Sequence, residues 1–173
     1  PLVIMFKKIL IANRGEIACR IIKTARRLGI KTVAICSDPD ENAPHVNLAD
    51  EYINIGGQSS AESYLIISKI VDALKSSKAD AVHPGYGFLS ENVQFRDEVH
   101  KFGKIFIGPP SQAISLMGDK IESKKLAKDA GVSIVPGGLG TIKNLDKALL
   151  EAKKIGYPLM VKASAGGGGK GMR

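Results

Sequence analysis

The chain has 173 residues, a net charge of +8, two cysteines, no tryptophan and aromatics at only 5%, which suits one domain or one domain and part of a second. Two cysteines exclude a disulfide framework, and no apolar run reaches the 18 residues that a membrane-spanning helix needs, so neither a membrane nor an oxidising scaffold is expected. A nucleic-acid partner is not expected either: it would call for a basic stripe with stacking aromatics, whereas the lysines here are spread over every predicted helix and read as solvated faces plus a few phosphate contacts.

The opening run "PLVIMF" reads as an extension ahead of a native Met5, and no signal peptide is evident. "KKILIA" (7–12) is a β-rich run leading through "NRG" into "EIACRIIKTARRLG", where Ile17, Ile21, Ile22, Ala25 and Leu28 recur at helical spacing and Gly29 supplies the stop. "KTVAIC" predicts a second strand. Cys19 and Cys36 both lie in apolar-periodic stretches and are expected as buried thiols in a reducing compartment. A polar loop, "SDPDENAPHVNLAD", precedes a third strand, "EYINI".

After "GGQ" comes "SSAE", with Ser59 and Glu62 in capping-box register ahead of a helix carrying Leu65, Ile66, Ile70, Val71 and Leu74. "DAVHP" predicts a fourth strand, "ENVQFRDEVHKFG" a helix and "KIFIG" a fifth strand. Strands alternating with helices of ten or more residues predict a doubly wound, mostly parallel five-stranded α/β sheet of Rossmann-like type, covered on both faces. Beyond "GPP" the grammar changes. A helical stretch over 111–130 is broken at "MGDK"; then come "VSIVPGG", a helix near 144–155 and a strand "YPLMVKA".

The stretch "KASAGGGGKGMR" (162–173) has the composition of a phosphate loop, because glycine frees backbone N–H groups and lets the chain approach an anion closely. It is not a P-loop, since Ser164 stands where that motif needs its first glycine and Gly171 where it needs Ser or Thr. Gly166, Gly168 and Gly171 match G-x-G-x-x-G formally, but such a match is nearly free in a glycine run and lies at the wrong end of the α/β unit. The first strand-to-helix turn, "IANRGEIA", holds only Gly15, so a dinucleotide site there loses its support. The bland reading of the glycine run is a linker or tail. Against it stand Lys162 at the end of a predicted strand and Lys170 inside the run, both placed to meet a polyphosphate. The three histidines, His45, His83 and His100, share no ligand-like spacing, which argues against a zinc site.

Five stretches, "ANRGEIA" (12–18), "HPGYGFLSEN" (83–92), "FIGP" (106–109), "MGDK" (117–120) and "KASAGGGGKGMR" (162–173), stand in the order and approximate spacing of the biotin carboxylase component of biotin-dependent carboxylases, which the chain resembles from Phe6 onward. The resemblance implies an ATP-grasp ligase that uses MgATP and bicarbonate to make carboxyphosphate, whose CO2 passes to biotin on a biotinyl carrier protein. It also implies a carboxyltransferase subunit, a homodimer or larger complex, and a place in the bacterial cytoplasm or the mitochondrial matrix. The final acyl-CoA or pyruvate acceptor stays open.

Residues 1–110 would form the pre-ATP-grasp domain, 111–131 linking helices, and 132–173 the incomplete start of the ATP-grasp domain. Carried over by motif, Lys120 and Lys162 resemble the two lysines that contact ATP phosphates, where a mobile point charge suits the work. Gly166, Gly167, Gly168, Gly169, Lys170 and Gly171 would form the lid over those phosphates, with Met172 beside the adenine. Tyr86 would lie near biotin, at a turn that Pro84, Gly85 and Gly87 make tight and that Ser90 caps toward the next helix. For His83 a site role and a plain turn histidine satisfied by backbone both remain open. Arg20 matches a dimer-forming position, although a solvated helix face explains it equally well, and Arg14 and Glu16 receive no chemical role. No catalytic residue and no magnesium ligand is expected within the chain, which alone would not carboxylate. Two other readings are weighed: another ATP-grasp ligase, such as a carbamoyl-phosphate or purine-pathway enzyme, disfavoured by "HPGYGFLSEN", and a non-catalytic α/β binding module.

Overall fold

Five short strands carry the frame: β1 (Lys8–Ile11), β2 (Lys31–Cys36), β3 (Glu51–Asn54), β4 (Ala81–His83) and β5 (Ile105–Phe106). All pair in parallel, in the order β3-β2-β1-β4-β5. The computed structural model describes residues 6–135, 137, 140 and 142–161, and only the backbone of Lys120. "Mostly parallel" is thus sharpened to parallel throughout. The helices α1 (Gly15–Arg27), α3 (Ile67–Ser76) and α4 (Val93–Lys101) cross between strands, as parallel pairing requires.

Alternation along β1 assigns the two faces. Ile9 and Ile11 pack with Ala18, Ile22 and Ala25 of α1, whereas Leu10 joins Ile70 and Leu74 of α3 and Phe95 and Val99 of α4. Both faces are therefore dry, and β1 reads as a continuous apolar run for that reason. On the α4 side Phe95 meets Phe106 edge-on, with ring centroids 5.9 Å apart.

Several local expectations are corrected. The loop after β2 contains a 3-10 turn (Asp38–Asp40) and the short helix α2 (Pro44–Leu48), which starts where Pro44 supplies a preset φ at its first position. The Ser59/Glu62 capping box forms, but it caps a single 3-10 turn (Ser60–Glu62); Ser63 then leaves helical geometry and α3 begins only at Ile67. Leu65 is exposed as a result. Asn92, not Ser90, caps α4, its side-chain oxygen accepting from the Phe95 N–H at 2.8 Å. Cys36 is buried as expected, but Cys19 is only half-buried on the flank of α1.

The chain divides into two compact units, one through Ile114 and one from Ser115. The division falls within α5 (Ser111–Gly118), which is followed by α6 (Lys120–Asp129) and α7 (Leu145–Ile155). Helical breaks stand where "MGDK" and Asn144 placed them: Asp119 and Asn144 cap α6 and α7 with their side chains. The strand expected from "YPLMVKA" is not formed over its described part, 157–161. Met160 and Val161 are exposed there, and among the described residues no ladder partner accompanies them. The rest of that strand, the glycine run and the opening "PLVIM" lie outside the described residues.

Candidate functional site

The chain runs outward from β1 through β2 to β3, then returns to β4 on the other side of β1. Connections diverge between β1 and β4, and open α/β sheets bind ligands outside the carboxyl ends of the strands at such a switch point. A cavity of ≈ 320 Å³ opens there, between the 13–17 turn that follows β1 and the 86–88 turn that follows β4. Its size lies at the lower end of the range of small-molecule sites, roughly 300 to 1,000 Å³.

Asn13 ties the two turns together. It is 1% exposed, its Nδ2 donates to the carbonyls of Pro84 (2.8 Å) and Tyr86 (2.9 Å), and its Oδ1 accepts from the Arg14 N–H (2.9 Å). A buried amide with all these groups paired is stabilising, and truncating it would orphan two carbonyls. The approach is close enough to demand glycine: at Gly85, with φ +66°, an added Cβ would lie 2.7 Å from Asn13 Nδ2 and 2.7 Å from Ile17 Cγ2. His83 is satisfied locally, its Nδ1 accepting from the Gly85 N–H at 3.0 Å, which places the ring proton on Nε2. Burial pushes its pKa down.

Tyr86 projects outward, 62% exposed, and its hydroxyl donates to Glu16 Oε1 at 3.5 Å. The same carboxylate holds Arg20 Nε at 2.7 Å through Oε2. Tyr86 and Glu16 therefore share one rim of the cavity, and Arg20 is bonded to Glu16 from outside the lining. On the other side Arg14 is anchored to Asp40, Nη1 to Oδ2 at 3.0 Å. Burial opposes ionisation of Asp40, but hydrogen bonds from Tyr64, Arg14 and Ser37 outweigh it and hold the carboxyl below the ordinary range. A paired, ionised Asp40 in turn keeps the Arg14 guanidinium fixed.

Of the residues expected at an ATP site, Lys120 is placed at the start of α6, and its side chain lies outside the description together with Lys162 to Met172. At that helix start Asp119 Oδ1 already accepts from the N–H groups of Ile121 (2.8 Å) and Glu122 (2.9 Å). Those two donors are engaged by the cap. Among the described residues no group of three or more His, Cys, Asp or Glu is placed to hold a metal ion, and none of the described helices is long and apolar enough to cross a membrane. The cavity offers a phenol, a carboxylate and one guanidinium group around an apolar wall of Ile17 and Phe88, a set suited to binding and orienting a small planar ligand.

Sequence reasoning singled out Tyr86 and Arg20 but missed Asn13 and Arg14, the residues that assemble the cavity. The available signal was the turn itself, since a polar side chain at the buried end of a strand, just before glycine, needs a partner.

The family model of the biotin carboxylase N-terminal domain matches residues 5–114, and that of the carbamoyl-phosphate synthase L chain ATP binding domain matches residues 119–173. The propionyl-CoA carboxylase alpha chain of Ruegeria pomeroyi is 59% identical over 98% of this chain and 25% of its own length. The mitochondrial propionyl-CoA carboxylase alpha chain of Sus scrofa is 57% identical over 97% of this chain and 23% of its own. The biotin carboxylase domain dimer of Hydrogenobacter thermophilus 2-oxoglutarate carboxylase, solved with MgADP, ADP and bicarbonate, superposes with a TM-score of 0.87 at 50% identity, over 98% of this chain and 37% of that one. The chain thus spans about a quarter of the length of the curated relatives it matches, which are bacterial and mitochondrial proteins.

Proposed function

The chain belongs to the family of biotin carboxylase N-terminal domains, and from that premise we propose that it is the N-terminal part of an ATP-dependent biotin carboxylase within an acyl-CoA carboxylase, acting with MgATP, bicarbonate and a biotinyl carrier protein. The observation that carries the reading is the convergence of two family motifs, about 70 residues apart, on one cavity at the switch point, with Asn13 of "ANRGEIA" bonded to Pro84 and Tyr86 of "HPGYGFLSEN". The match of residues 119–173 to a carbamoyl-phosphate synthase domain fits an ATP-grasp fold shared by both enzyme classes, and the match over 5–114 favours the carboxylase.

In this reading residues 1–110 are the pre-ATP-grasp domain, 111–131 the linking helices and 132–173 the start of the ATP-grasp domain. ATP, when bound, supplies the phosphoryl group that activates bicarbonate. Lys120 and Lys162 hold its phosphates as point charges; Gly166, Gly167, Gly168, Gly169, Lys170 and Gly171 close over them; Met172 borders the adenine. Tyr86 forms a wall of the biotin site, and Arg20, exposed on α1, contributes to a homodimer. Magnesium ligands and the base for bicarbonate are assigned to no residue of this chain, which by itself supports no carboxylation. The names of these relatives support propionyl-CoA as final acceptor, and in this reading the whole protein works with a carboxyltransferase subunit in the bacterial cytoplasm or the mitochondrial matrix.

The test is Lys120→Ala and Lys162→Ala in the full-length carboxylase that contains this chain. Each removes a charge paired with phosphate, and ATP cleavage dependent on biotin and bicarbonate is expected to fall by more than about tenfold. Activity within about twofold of the unsubstituted enzyme, about 0.4 kcal/mol in barrier, would contradict the assignment.

A further inference from the structure

Phe88 has a φ of 43°, in the left-handed region that a bulky side chain rarely adopts. It is the second residue of a turn closed by the Ser90 N–H donating to the Gly87 carbonyl at 2.9 Å, and a positive φ at that place is ordinarily left to glycine. Glycine stands at positions 85 and 87 of the same segment, both with positive φ, yet phenylalanine occupies the third left-handed position. The other non-glycine residue with positive φ among the described residues, Lys78, follows the end of α3, where left-handed caps are routine. Burial does not explain Phe88 either: Leu89, 5% exposed, anchors the segment in the core, while Phe88 is only half-buried.

A ring at 88, packed at the edge of the core, makes one contact with another ring. It stacks on Tyr64, with centroids 5.2 Å apart and planes within 4°. Tyr64 is fully buried and fixed at its hydroxyl, which donates to Asp40 Oδ2 at 2.6 Å and accepts from the Ser37 N–H at 3.0 Å. The Arg14 guanidinium lies 5.4 Å from the Tyr64 centroid and 5.8 Å from that of Phe88, while bonded to the same Asp40 oxygen. Ring 88 is thereby fastened to the loop after β2 and to the turn after β1. Asn13 holds the carbonyls of residues 84 and 86, upstream of the strained position; the stack holds the strained position itself.

We propose that the Tyr64–Phe88 stack, with Arg14 against it, sets the conformation of the 84–88 turn and so places Tyr86 at the mouth of the cavity. Strain in a backbone persists only where the surroundings over-determine it, and here the determining group is the Phe88 ring, which lines the cavity and is held by its stack on Tyr64. Tyr64 and Phe88 are positioning residues, acting through Tyr86. The consequence for biotin rests on the reading that Tyr86 borders the biotin site; the consequence for the turn does not.

The experiment uses Phe88→Leu, which removes the ring, Phe88→Tyr, which keeps it, and Arg14→Gln, which removes the cation. In this chain the readout is the backbone amide spectrum. Phe88→Leu is expected to shift or broaden the Tyr86 and Gly87 amides while those of β1 and β2 stay in place, Phe88→Tyr to give the unsubstituted spectrum, and Arg14→Gln to move the same two amides to a smaller extent. In the full-length carboxylase, Phe88→Leu is expected to raise the KM for free biotin by on the order of tenfold with the KM for ATP unchanged, and Phe88→Tyr to restore it. Unmoved Tyr86 and Gly87 amides in Phe88→Leu, or equal displacement by Phe88→Tyr, overturn the proposal. Should Phe88→Leu fail to fold, unmoved amides in Arg14→Gln overturn it. Displaced amides with an unchanged KM for biotin uphold the stack as the device that sets the turn and remove Tyr86 from the biotin site.

Discussion

Replacing Gly85 by alanine tests how the two turns of the cavity are joined, and a second glycine supplies the control. Gly85 and Gly87 have nearly the same φ, +66° and +68°, so alanine at either carries a left-handed penalty of about 1–2 kcal/mol. They differ in surroundings. A Cβ at Gly87 meets nothing within 4 Å, whereas one at Gly85 would stand 2.7 Å from both Asn13 Nδ2 and Ile17 Cγ2. Asn13 cannot yield cheaply, because moving it lengthens two hydrogen bonds, each worth about 1 kcal/mol net, and crowding a packed site costs about 1–3 kcal/mol. Gly85→Ala should therefore destabilise the fold by about 2–5 kcal/mol and Gly87→Ala by about 1–2. Native-state hydrogen exchange at the buried strand amides of Leu10 and Val33 reads the difference in the unit that holds the cavity. The expected gap of about 1–3 kcal/mol is a factor of roughly 5 to 150 in exchange rate. In an Asn13→Ala background the gap should shrink, since one of the two clashing partners is gone. Equal losses for the two alanines in the otherwise unsubstituted chain, or a gap that Asn13→Ala leaves undiminished, would refute the account of Gly85 as a site of close approach.

Two predictions concern pH. Burial pushes the pKa values of both His45 and His83 down, and His45, with Nε2–H donating to the Ile35 carbonyl at 3.1 Å, has no partner for Nδ1 among the described residues. The unfolded chain, with ordinary histidines near pH 6.5, takes up protons first as pH falls, so stability should drop below about pH 6.5 by up to about 1.4 kcal/mol per pH unit per histidine. His45→Gln should remove part of that slope in urea-unfolding curves collected from pH 7.5 to 5.5 (about one histidine's worth), and an unaltered slope would count against the buried neutral ring. Asp50, which accepts from Lys31 Nζ at 2.8 Å and from the Thr32 N–H and hydroxyl at 2.9 Å each, is held at about 2, Lys31 being the largest cause. Its contribution is present above the ordinary carboxylate range and lost as pH falls toward 2; with the side chain about a third exposed, solvent screening reduces it to about 1 kcal/mol. Carboxyl-carbon NMR titration should find Asp50 rising toward the ordinary range in Lys31→Met, and a value still near 2 would show that Thr32 alone sets it.

Elements buried on a face were legible because burial has a period. β2 runs from Lys31 to Cys36, the residues its apolar run marked, and the helix stop at Gly29 and the break at "MGDK" follow from local chemistry. The errors arose where a local signature was present but its reach was set by something distant. Ser59 and Glu62 do form a capping box, yet the helix they seemed to open ends after one turn, because the chain must deliver Tyr64 into the core, where its hydroxyl meets Asp40, 24 residues earlier. Spacing reports that a cap is possible; it does not report how far the helix continues.

The same limit separates the candidate residues that the sequence singled out from those it passed over. Tyr86 stood in a quoted motif and Arg20 was matched only by its position on the first helix, and the structure adds that Glu16 lies between them. Asn13, Arg14 and Phe88 lie inside quoted motifs and Tyr64 in none, but the motifs do not say what each side chain meets: Asn13 takes its meaning from carbonyls up to 73 residues away that the β1–β4 pairing brings near, and Tyr64 from Asp40, 24 residues earlier. A polar side chain at a strand end is ambiguous in one dimension and becomes determined once the switch point exists. It follows that the positions hardest to read in the sequence, a buried asparagine before Gly15 and a phenylalanine where glycine is expected, are those at which topology acts directly on the cavity, and substitutions there should reshape the site before they unfold the sheet.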